Sequence, residues 1–481
     1  MDGLAKIIQS EMESENQSDS YFSKPKASTD ELKFTIKSMP DFNLTDLGNA
    51  ERLIYLFGDR ILFNHTSKKF LIWNGKYWEE DNTRKIGDLA KETVRHIYLE
   101  AAECKDEKKR KDLGDFATKT ESNQRIQAMI DLAKNDQSIA VKNEELDQNQ
   151  WLLNLQNGTF NLKTLELQPH QKEDKITKIT NIIFDPEAKA PQWGEFLKTI
   201  FNNNNNLIGF IHRAIAYSMT GNTAEQCFFL LYGKGANGKT TFINVIMHLL
   251  GDYAKQTPFD TILLKKDGSA RNDLAGLFGT RFVSAVEGEQ GRKMAESVIK
   301  QITGGDTISA RKLYQDFFEY KPTYKLWLAT NHKPVIQGTD HAIWRRVKLI
   351  PFIVQIPDEK QIKDYDQILI QEASGIFNLC VDALEYYYEK GLNIPDEVNN
   401  ATGEYKDEMD QISNFIKDCC EVDKLNEVYS KDLYQSYMDW CNENGERPLS
   451  KKAIAASLKE KEFHLEKDRK GKKWYGIGLK M

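Results

Sequence analysis

Residues 227–250 read CFFLLYGKGANGKTTFINVIMHLL, in which a glycine-rich loop separates an apolar run from a stretch with helical spacing. The loop fits the pattern G-x-x-x-x-G-K-[ST] and stands where that motif has physical meaning, after a strand and before a helix. Its glycines let backbone N–H groups face phosphate oxygens, and the helix that follows offers them its positive end. The stretch therefore predicts a site for nucleotide phosphates, which by itself leaves kinases, switches, translocases and transporters open.

Two side chains of this motif have roles that follow from their chemistry. Lys239 can reach the β and γ phosphates, and Thr240 can ligate Mg²⁺. The alternative, a glycine-rich turn that arose by chance, does not explain the strand before it and the helix after it. We expect ATP to be contacted by Gly233, Lys234, Gly235, Ala236, Asn237, Gly238, Lys239, Thr240 and Thr241.

Polar residues follow two further apolar strands. The segment RFVSAVEGEQ (281–290) places Glu287 at the end of a strand and Glu289 close behind it. Glu287 is the first candidate for holding the hydration shell of Mg²⁺ or orienting the attacking water, and ordinary solvated carboxylates are the alternative. The segment YKLWLATNH (324–332) delivers Asn331, whose amide can sense the γ phosphate, although an Asn after a strand is also a common turn former.

Two consecutive arginines precede another apolar strand in IWRRVKLIPF (343–352). An arginine supplied across a subunit boundary can stabilise transition-state charge in phosphoryl transfer. Arg345 and Arg346 are therefore candidates for such a role, and a surface ion pair is the alternative.

The order and close spacing of these elements, from Gly233 to Arg346, resemble superfamily 3 helicases of the AAA+ class. The stretches KQITGGDTISARKLYQDFFEYKPTYKLWLATNHKP and DHAIWRRVKLIPF further resemble the phage and plasmid primase-helicase family, which includes the poxvirus primase-helicase. LGNAERL, WNGKYWEED and LLNLQNGTFNL upstream resemble the domain that precedes the helicase in that family. The resemblance covers roughly residues 45–480.

The resemblance implies roles for individual residues. The loop would be the Walker A motif, Glu287 with Glu289 the Walker B acids, Asn331 the sensor, and Arg345 or, in preference, Arg346 the arginine finger. The segment between Lys300 and Lys321 would correspond to the additional motif of superfamily 3, in which a hairpin, here with the strands ISARKLY and DFFEYKP, grips DNA in a central channel. There Arg311 and Lys312 would meet backbone phosphates and Tyr314 would stack against a base, while an ordinary charged hairpin is the alternative.

The C-terminal segment predicts three helices followed by two short strands, FHLEKDR and KKWYGIGL, the pattern of a winged-helix module. Residues 451–481 carry ten basic and four acidic side chains, a local balance of +6. Such asymmetry favours a DNA-facing surface, and a basic protein-docking module is the alternative. The predicted DNA contacts are Lys451, Lys452, Lys470, Lys472 and Lys473.

Composition limits the remaining choices. The chain has 481 residues, with 66 Lys and Arg against 72 Asp and Glu, and a net charge of −6 excludes a uniformly basic nucleic-acid coat. Six cysteines without a Cys-x-x-Cys pair argue against a zinc module or a disulfide scaffold. Since the sequence shows neither a signal peptide nor a run of about 18 apolar residues, we expect a cytoplasmic protein without a membrane span.

The expected fold class is multidomain α/β, with an AAA+ P-loop ATPase core between two smaller domains. The predicted organisation is a flexible tail (1–40), an α+β domain (41–195), the helicase domain with flanking helices (196–392), a connection (391–410) and the winged-helix domain (410–481). The two Asn-Gly dipeptides, Asn74-Gly75 and Asn157-Gly158, predict tight hairpin turns in the N-terminal domain.

The resemblance implies that the protein is an ATP- and Mg²⁺-dependent DNA helicase used in the replication of a phage, plasmid or genomic island. The protein would act on single-stranded and duplex DNA as a homo-oligomer, because a finger supplied in trans and a lined channel need several subunits, and the resemblance implies a hexamer. With few residues before LGNAERL, we expect no primer synthesis and a separate primase or replication initiator as partner. The alternatives are an origin-binding initiator that uses ATP as an assembly switch and a P-loop kinase of small substrates.

Overall fold

A computed structural model describes residues 40–480 apart from 265–271, 287–290, 312–316, 339–340 and 447. The predicted flexible tail (1–40) therefore lies outside the described residues except for Pro40. Packing divides the chain into two compact units. One combines Gly87–Asn135 with residues up to Phe57, and the other combines Gly58–Ile86 with Asp136–Met481.

The first unit is helical. Its core is lined by side chains such as Leu53 and Phe116, and the buried Arg52 donates to both carboxylate oxygens of Glu100. The charged run at 104–112, predicted as a loop or a solvated face, comprises a short break and then an exposed helical start, where Asp106 accepts from the Lys109 N–H. The helices are α1 (Asp46–Phe57), α2 (Lys85–Glu103), α3 (Glu107–Thr120) and α4 (Asn123–Ala133).

Two small sheets open the second unit. The first has the order β3-β2-β1-β4 and the second the order β5-β6-β7, with β4 parallel to β1 and the other neighbours antiparallel. Their strands are β1 (Ile61–Asn64), β2 (Lys69–Trp73), β3 (Trp78–Glu80), β4 (Ala140–Val141), β5 (Leu152–Leu155), β6 (Gly158–Asn161) and β7 (Glu166–Gln168).

Both predicted hairpins form, but neither turn is the tight Asn-Gly turn expected. Residues 74–77 join β2 to β3, and the Asn74 side chain accepts from the N–H groups of Lys76 and Tyr77. In the second hairpin Gly158 already pairs with Leu155, so the turn is Gln156-Asn157. Asn157 is committed elsewhere, because its amide exchanges two hydrogen bonds with the backbone of Phe184.

A sheet of five parallel strands forms the centre of the second unit, in the order β14-β8-β13-β10-β9. Because all five strands run the same way, their carboxyl ends meet at one edge. A separate antiparallel pair, β11-β12, follows β10 along the chain. The strands are β8 (Phe228–Tyr232), β9 (Ala254–Gln256), β10 (Phe282–Val286), β11 (Ile308–Arg311), β12 (Phe317–Tyr320), β13 (Lys325–Thr330) and β14 (Val347–Pro351).

Helices cover the central sheet. They are α5 (Pro191–Ile200), α6 (Asn205–Met219), α7 (Lys239–Leu250), α8 (Asn272–Ala275), α9 (Glu296–Gly304), α10 (His341–Trp344), α11 (Tyr365–Ile370), α12 (Ala373–Lys390) and α13 (Asp396–Met409). The predicted connection at 391–410 is therefore mostly helix α13, whose Val398 and Tyr405 are fully buried. Among the described residues, no helix combines the length and the apolar character that crossing a membrane requires.

The main core is built around Trp327 of β13, which is fully buried. Its ring lies 4.2 Å from that of Phe229 and 5.5 Å from that of Phe282, centroid to centroid, and its Nε1–H donates to Ser218 Oγ at 3.0 Å. The same core continues to Phe160 of β6. Packing therefore does not break near residue 195, where a domain boundary was predicted, because the β5-β6-β7 sheet shares its apolar face with the central sheet.

The C-terminal module has its own core, centred on the buried side chains of Phe415, Tyr437 and Trp474. The three predicted helices and the two final strands are present, and a further strand completes a three-stranded antiparallel sheet in the order β16-β18-β17. Its elements are α14 (Gln411–Cys419), β15 (Cys420–Glu421), β16 (Glu427–Tyr429), α15 (Ser430–Glu443), α16 (Lys451–Glu460), β17 (His464–Lys467), β18 (Lys472–Tyr475) and β19 (Gly478–Leu479).

Replacement of Trp327 by alanine tests this account of the core. The substitution removes a buried indole and leaves the Ser218 hydroxyl without its donor, so we expect a loss of about 3–5 kcal/mol in the free energy of unfolding. Chemical denaturation followed by circular dichroism measures it. As a control, Leu425→Ala at a side chain that is 90% exposed should change stability by no more than about 0.5 kcal/mol. Equal small effects for both variants would contradict the assignment of Trp327 to the core.

Candidate functional site

The predicted phosphate loop joins the end of β8 to the start of α7, at the carboxyl edge of the central sheet. Two of its glycines are required by the geometry. A Cβ on Gly233 would lie 2.2 Å from both the Asn237 Nδ2 and the Phe352 carbonyl oxygen, and Gly238 has a φ of 81°. The loop therefore curls tightly around the position where α7 begins, leaving the first N–H groups of that helix without intrahelical partners.

Lys239 extends from the first turn of α7 back under the loop. Its Nζ donates to the Gly233 carbonyl at 2.7 Å, to Asn237 Oδ1 at 2.9 Å and to Asn331 Oδ1 at 3.0 Å. Because the residue is largely buried, desolvation lowers the pKa of the ammonium group to about 8. The structure thus brings the predicted lysine and the predicted sensor residue into direct contact.

Asn237 was predicted to contact ATP, and its side chain instead holds the loop together. The amide is buried, donates to the Phe352 carbonyl at 3.1 Å and accepts from Lys239. The backbone of the same segment adds a hydrogen bond from the Ile356 N–H to the Ala236 carbonyl at 2.7 Å. The Asn237 side chain is therefore occupied within the protein, which leaves its backbone N–H as the group that could reach a phosphate.

A cavity of about 660 Å³ opens beside the loop. One wall consists of the phosphate loop, Thr240, Thr241 and Asn331. The other lining residues come from α5, α11 and the segment after β14, and sequence reasoning missed them. They include the side chains of Phe196, Thr199, Ile356, Ile362 and Tyr365 beside the polar Gln355, Lys360 and Gln361, and the rings of Phe196 and Tyr365 meet edge to face at 5.7 Å. Apolar side chains for a base next to a loop for phosphates fit a nucleotide.

The two predicted acids, Glu287 and Glu289, lie outside the described residues. Val286, the last residue of β10, lines the cavity, and β10 pairs in parallel with β13, which pairs with β8. The chain positions that follow these three strands therefore leave the sheet at the same edge. Asn331, at the end of β13, is exposed there apart from its bond to Lys239.

The two arginines before β14 have different environments. Arg346 is 8% exposed and its guanidinium donates to Thr303 Oγ1 at 3.1 Å and to the Ala342 carbonyl. Arg345 is exposed, and its Nη2 donates to Gln226 Oε1 at 2.6 Å. The preference for Arg346 as the arginine finger is therefore not supported by its position, because that side chain is committed within its own subunit.

Both arginines also lie at the edge of the sheet opposite the phosphate loop. The Arg346 carbonyl accepts from the N–H of Phe228, the first residue of β8. The five residues of β8 separate it from the loop by roughly 17 Å at about 3.3 Å per residue. Neither arginine can therefore serve the phosphate site of its own chain without a large rearrangement.

An antiparallel pair, β11 and β12, forms where the DNA-gripping hairpin was predicted, and it pairs from Ile308 with Tyr320 to Arg311 with Phe317. Its base is anchored by Tyr320, whose hydroxyl donates to the Leu274 carbonyl at 2.6 Å. Arg311 lies at the far end of β11 and is exposed. Lys312 and Tyr314, which follow it, lie outside the described residues.

Four of the five predicted DNA-contacting lysines of the C-terminal module are exposed, namely Lys451, Lys452, Lys470 and Lys472. The ammonium of Lys451 lies 4.8 Å from the ring centroid of Tyr434. Lys473 differs from the others, because it is half-buried, forms an ion pair with Glu427 and lies over the Tyr429 ring. Its charge is partly neutralised, which makes it a weaker candidate for a phosphate contact.

Three family models match the chain. Residues 50–202 match the family described as D5 N terminal like, residues 231–346 match a family of unknown function, and residues 407–474 match the family described as Poxvirus D5 protein-like. The resemblance to the poxvirus primase-helicase family is confirmed. The two D5-like matches cover most of the predicted N-terminal and C-terminal domains, and the central match ends at Arg346.

Several viral proteins are similar to the chain over much of its length. A protein of Acanthamoeba polyphaga mimivirus named "putative helicase" is 29% identical over 62% of this chain and 34% of its own length. One of Invertebrate iridescent virus 6 with the same designation is 25% identical over 69% and 38%. A "putative primase" of African swine fever virus is 24% identical over 63% and 34%. The chain thus spans about a third of the length of these relatives.

Among solved structures, the apo C-terminal region of NrS-1 has a similar fold. The TM-score is 0.50 at 12% identity, and the match covers 89% of this chain and 99% of that one. At this level of identity the likeness concerns the fold alone.

The pKa of Lys239 predicts a pH dependence of nucleotide binding. The ammonium form attracts phosphate, and its population falls as pH rises through about 8, so affinity should decrease by up to about tenfold between pH 7 and pH 9. Titration with a fluorescent ATP analogue at several pH values measures this change. Lys239→Arg keeps its charge over the whole range and serves as the control. An equal pH dependence in both proteins would contradict the role of Lys239.

Proposed function

We propose that the protein is an ATP-dependent replicative DNA helicase of the superfamily 3, AAA+ type, which translocates on single-stranded DNA as a ring and unwinds duplex. The observation that supports it most is the contact between Lys239 and Asn331 in the lining of the 660 Å³ cavity. Two residues that are distant in sequence, each predicted to act on the γ phosphate, meet at one point. The relatives named as helicases support a function in replication.

The residues of the cavity suit phosphoryl transfer to water. The loop backbone and the start of α7 would hold the phosphate oxygens, and Lys239 would offset the charge that grows on them. Asn331 would orient the attacking water or bond the γ phosphate, and Glu287 is proposed to accept the proton of that water. When bound, Mg²⁺ would further neutralise the phosphate charge. Thr240 would ligate the ion, and Glu287 would hold its hydration shell.

The arginine finger is proposed to come from a neighbouring subunit. Arg345 is exposed, long and permanently charged, and it lies at the edge of the sheet opposite its own phosphate loop. In a closed ring with heterologous contacts, that edge of one subunit can face the nucleotide of the next. Arg345 then completes the site in trans, and a hexamer is the assembly that we propose.

Two surfaces are proposed to bind DNA. The β11-β12 hairpin would contact single-stranded DNA in the ring through Arg311, Lys312 and Tyr314. The C-terminal module, which we interpret as a winged helix, would contact duplex DNA through α16 and the β17-β18 hairpin, where Lys452, Lys470 and Lys472 are exposed.

The second candidate function is an origin-binding initiator that uses ATP mainly as an assembly switch. The basic C-terminal module favours it, because duplex binding by that module does not require processive unwinding. The double variant Lys452→Glu and Lys472→Glu distinguishes the two functions. Under the initiator function, the variant should lose duplex binding but keep hydrolysis that single-stranded DNA stimulates, and the unaltered protein should displace little strand from a forked duplex. A helicase should displace the strand in both proteins.

Steady-state ATP hydrolysis, with and without single-stranded DNA, tests the proposed function directly. We expect stimulation by DNA, displacement of a strand from a forked duplex, and a fall of about 100-fold or more in turnover for Lys239→Ala, because the phosphate charge loses its stabilising cation. Circular dichroism checks that the variant is folded. ATP turnover that does not change when single-stranded DNA is added, together with no strand displacement, would contradict the helicase assignment.

Mixing of two inactive variants tests the finger in trans. Arg345→Ala should lower turnover by about 100-fold or more while ATP still binds, since the arginine acts on the transition state. A mixture of Arg345→Ala with Lys239→Ala should recover part of the activity, because some interfaces then join an intact loop to an intact arginine. Arg95→Ala, at an exposed arginine of α2, is the matched control and should keep full turnover. No recovery in the mixture would contradict an arginine supplied by a neighbour.

A further inference from the structure

Helix α13 connects the ATPase core to the C-terminal module without a flexible linker. It ends at Met409, and α14 begins at Gln411. The residue between them, Asp410, accepts from the Ser413 N–H at 2.9 Å and forms an ion pair with Lys461 at the end of α16, Nζ to Oδ2 2.7 Å. A change in the position of α13 is therefore passed to α14 and α16 as a unit.

The other face of α13 is fixed to the central sheet. Tyr405 is fully buried, its hydroxyl donates to the Pro334 carbonyl, and its ring meets that of Trp344 edge to face at 5.1 Å. The hydroxyl of Thr402 accepts from the N–H of Leu349 in β14 at 3.0 Å. Helix α13 thus touches both the strand that follows the arginines and the loop that follows Asn331.

Lys333 joins that loop to the helix through its charge. Its Nζ lies 2.7 Å from both carboxylate oxygens of Glu408 in α13. The same ammonium lies 5.0 Å from the ring centroid of Tyr232, directly before the phosphate loop, and 5.5 Å from that of Tyr405. The lysine side chain is 14% exposed, so solvent screens these attractions less than at an open surface.

Asn331 lies two residues before Lys333 and bonds Lys239. Phosphate oxygens compete with an amide oxygen for an ammonium group, and a charged acceptor forms the stronger hydrogen bond. Phosphate at the loop would therefore loosen the end of β13 from Lys239. Only His332 separates Asn331 from Lys333, so a displacement of Asn331 would be transmitted through Lys333 to Glu408.

We propose that Lys333 and Glu408 are positioning residues that couple occupancy of the nucleotide site to DNA binding by the C-terminal module. This proposal rests on the proposed function, since it requires both ligands to bind. Coupling between two sites is reciprocal, so DNA at the module must change nucleotide affinity by the same factor as nucleotide changes DNA affinity. A purely structural ion pair would not affect that factor.

The test measures the coupling factor in the full chain. The dissociation constant of a fluorescent duplex DNA is determined with and without the non-hydrolysable analogue AMP-PNP, and that of a fluorescent AMP-PNP with and without DNA. In the unaltered protein we expect the two ratios to agree and to be about fivefold or more, the lower range of measured couplings. In Glu408→Gln and in Lys333→Met we expect both ratios to approach one.

Glu408 is about half exposed, so Glu408→Gln should fold and bind DNA within about twofold of the unaltered protein when no nucleotide is added. The matched control is Lys91→Met, which breaks an exposed ion pair with Asp88 in α2 and should leave the coupling factor unchanged. Coupling that survives in both test variants, or its absence from an unaltered protein that binds both ligands, overturns the proposal. Failure of the unaltered protein to bind DNA or AMP-PNP at all would instead contradict the proposed function.

Discussion

The ammonium group of Lys239 lies where one carbonyl oxygen and two amide oxygens replace the water that would otherwise surround it. All three of these acceptors are uncharged, so they satisfy its hydrogen bonds without neutralising its charge. The remaining positive potential faces a cavity, and it attracts a polyphosphate more strongly than a hydrated lysine would. The acceptors come from the start of the loop, from its middle and from the end of β13. Their convergence therefore requires the loop, the sheet and the helix to be correctly placed together.

The register of the sheet provides that placement. Pairing of Thr330 with Tyr232 brings Asn331 opposite Gly233, and a slip of one residue would turn its side chain to the other face. Trp327 makes such a slip costly, because its ring is enclosed by aromatic side chains from both neighbouring strands, Phe229 and Phe282, and its N–H is bonded to Ser218. A buried aromatic residue in the middle of β13 thus determines where the Asn331 side chain lies.

Local patterns in the sequence predicted much of this architecture, and tertiary contacts account for what they missed. The phosphate loop could be recognised because its glycines, lysine and threonine are adjacent in sequence. The sequence alone does not distinguish the adjacent residues Arg345 and Arg346. Only the tertiary structure shows that the Arg346 guanidinium already donates a hydrogen bond to Thr303 within its own subunit. Residues 391–410 were predicted as a connection because Gly, Pro, Asn and charge are abundant there, yet the burial of Val398 and Tyr405 stabilises a helix. The cavity-lining residues around Tyr365 belong to no sequence motif, so the sequence alone could not predict them.

The continuity of α13 with the C-terminal module changes what the module can do. A flexible connection would let the module move independently of the central sheet, and ligand sites on the two parts would then influence each other only through local concentration. A helix that is buried along one side and capped by an ion-paired aspartate has few alternative arrangements. Such an element transmits a displacement only when it is held on both sides of the junction. At the C-terminal end of α13, Glu408 forms an ion pair with Lys333, in the loop after β13, and Asp410 forms one with Lys461 of the module. The proposed coupling depends on these two ion pairs rather than on the length of the connection.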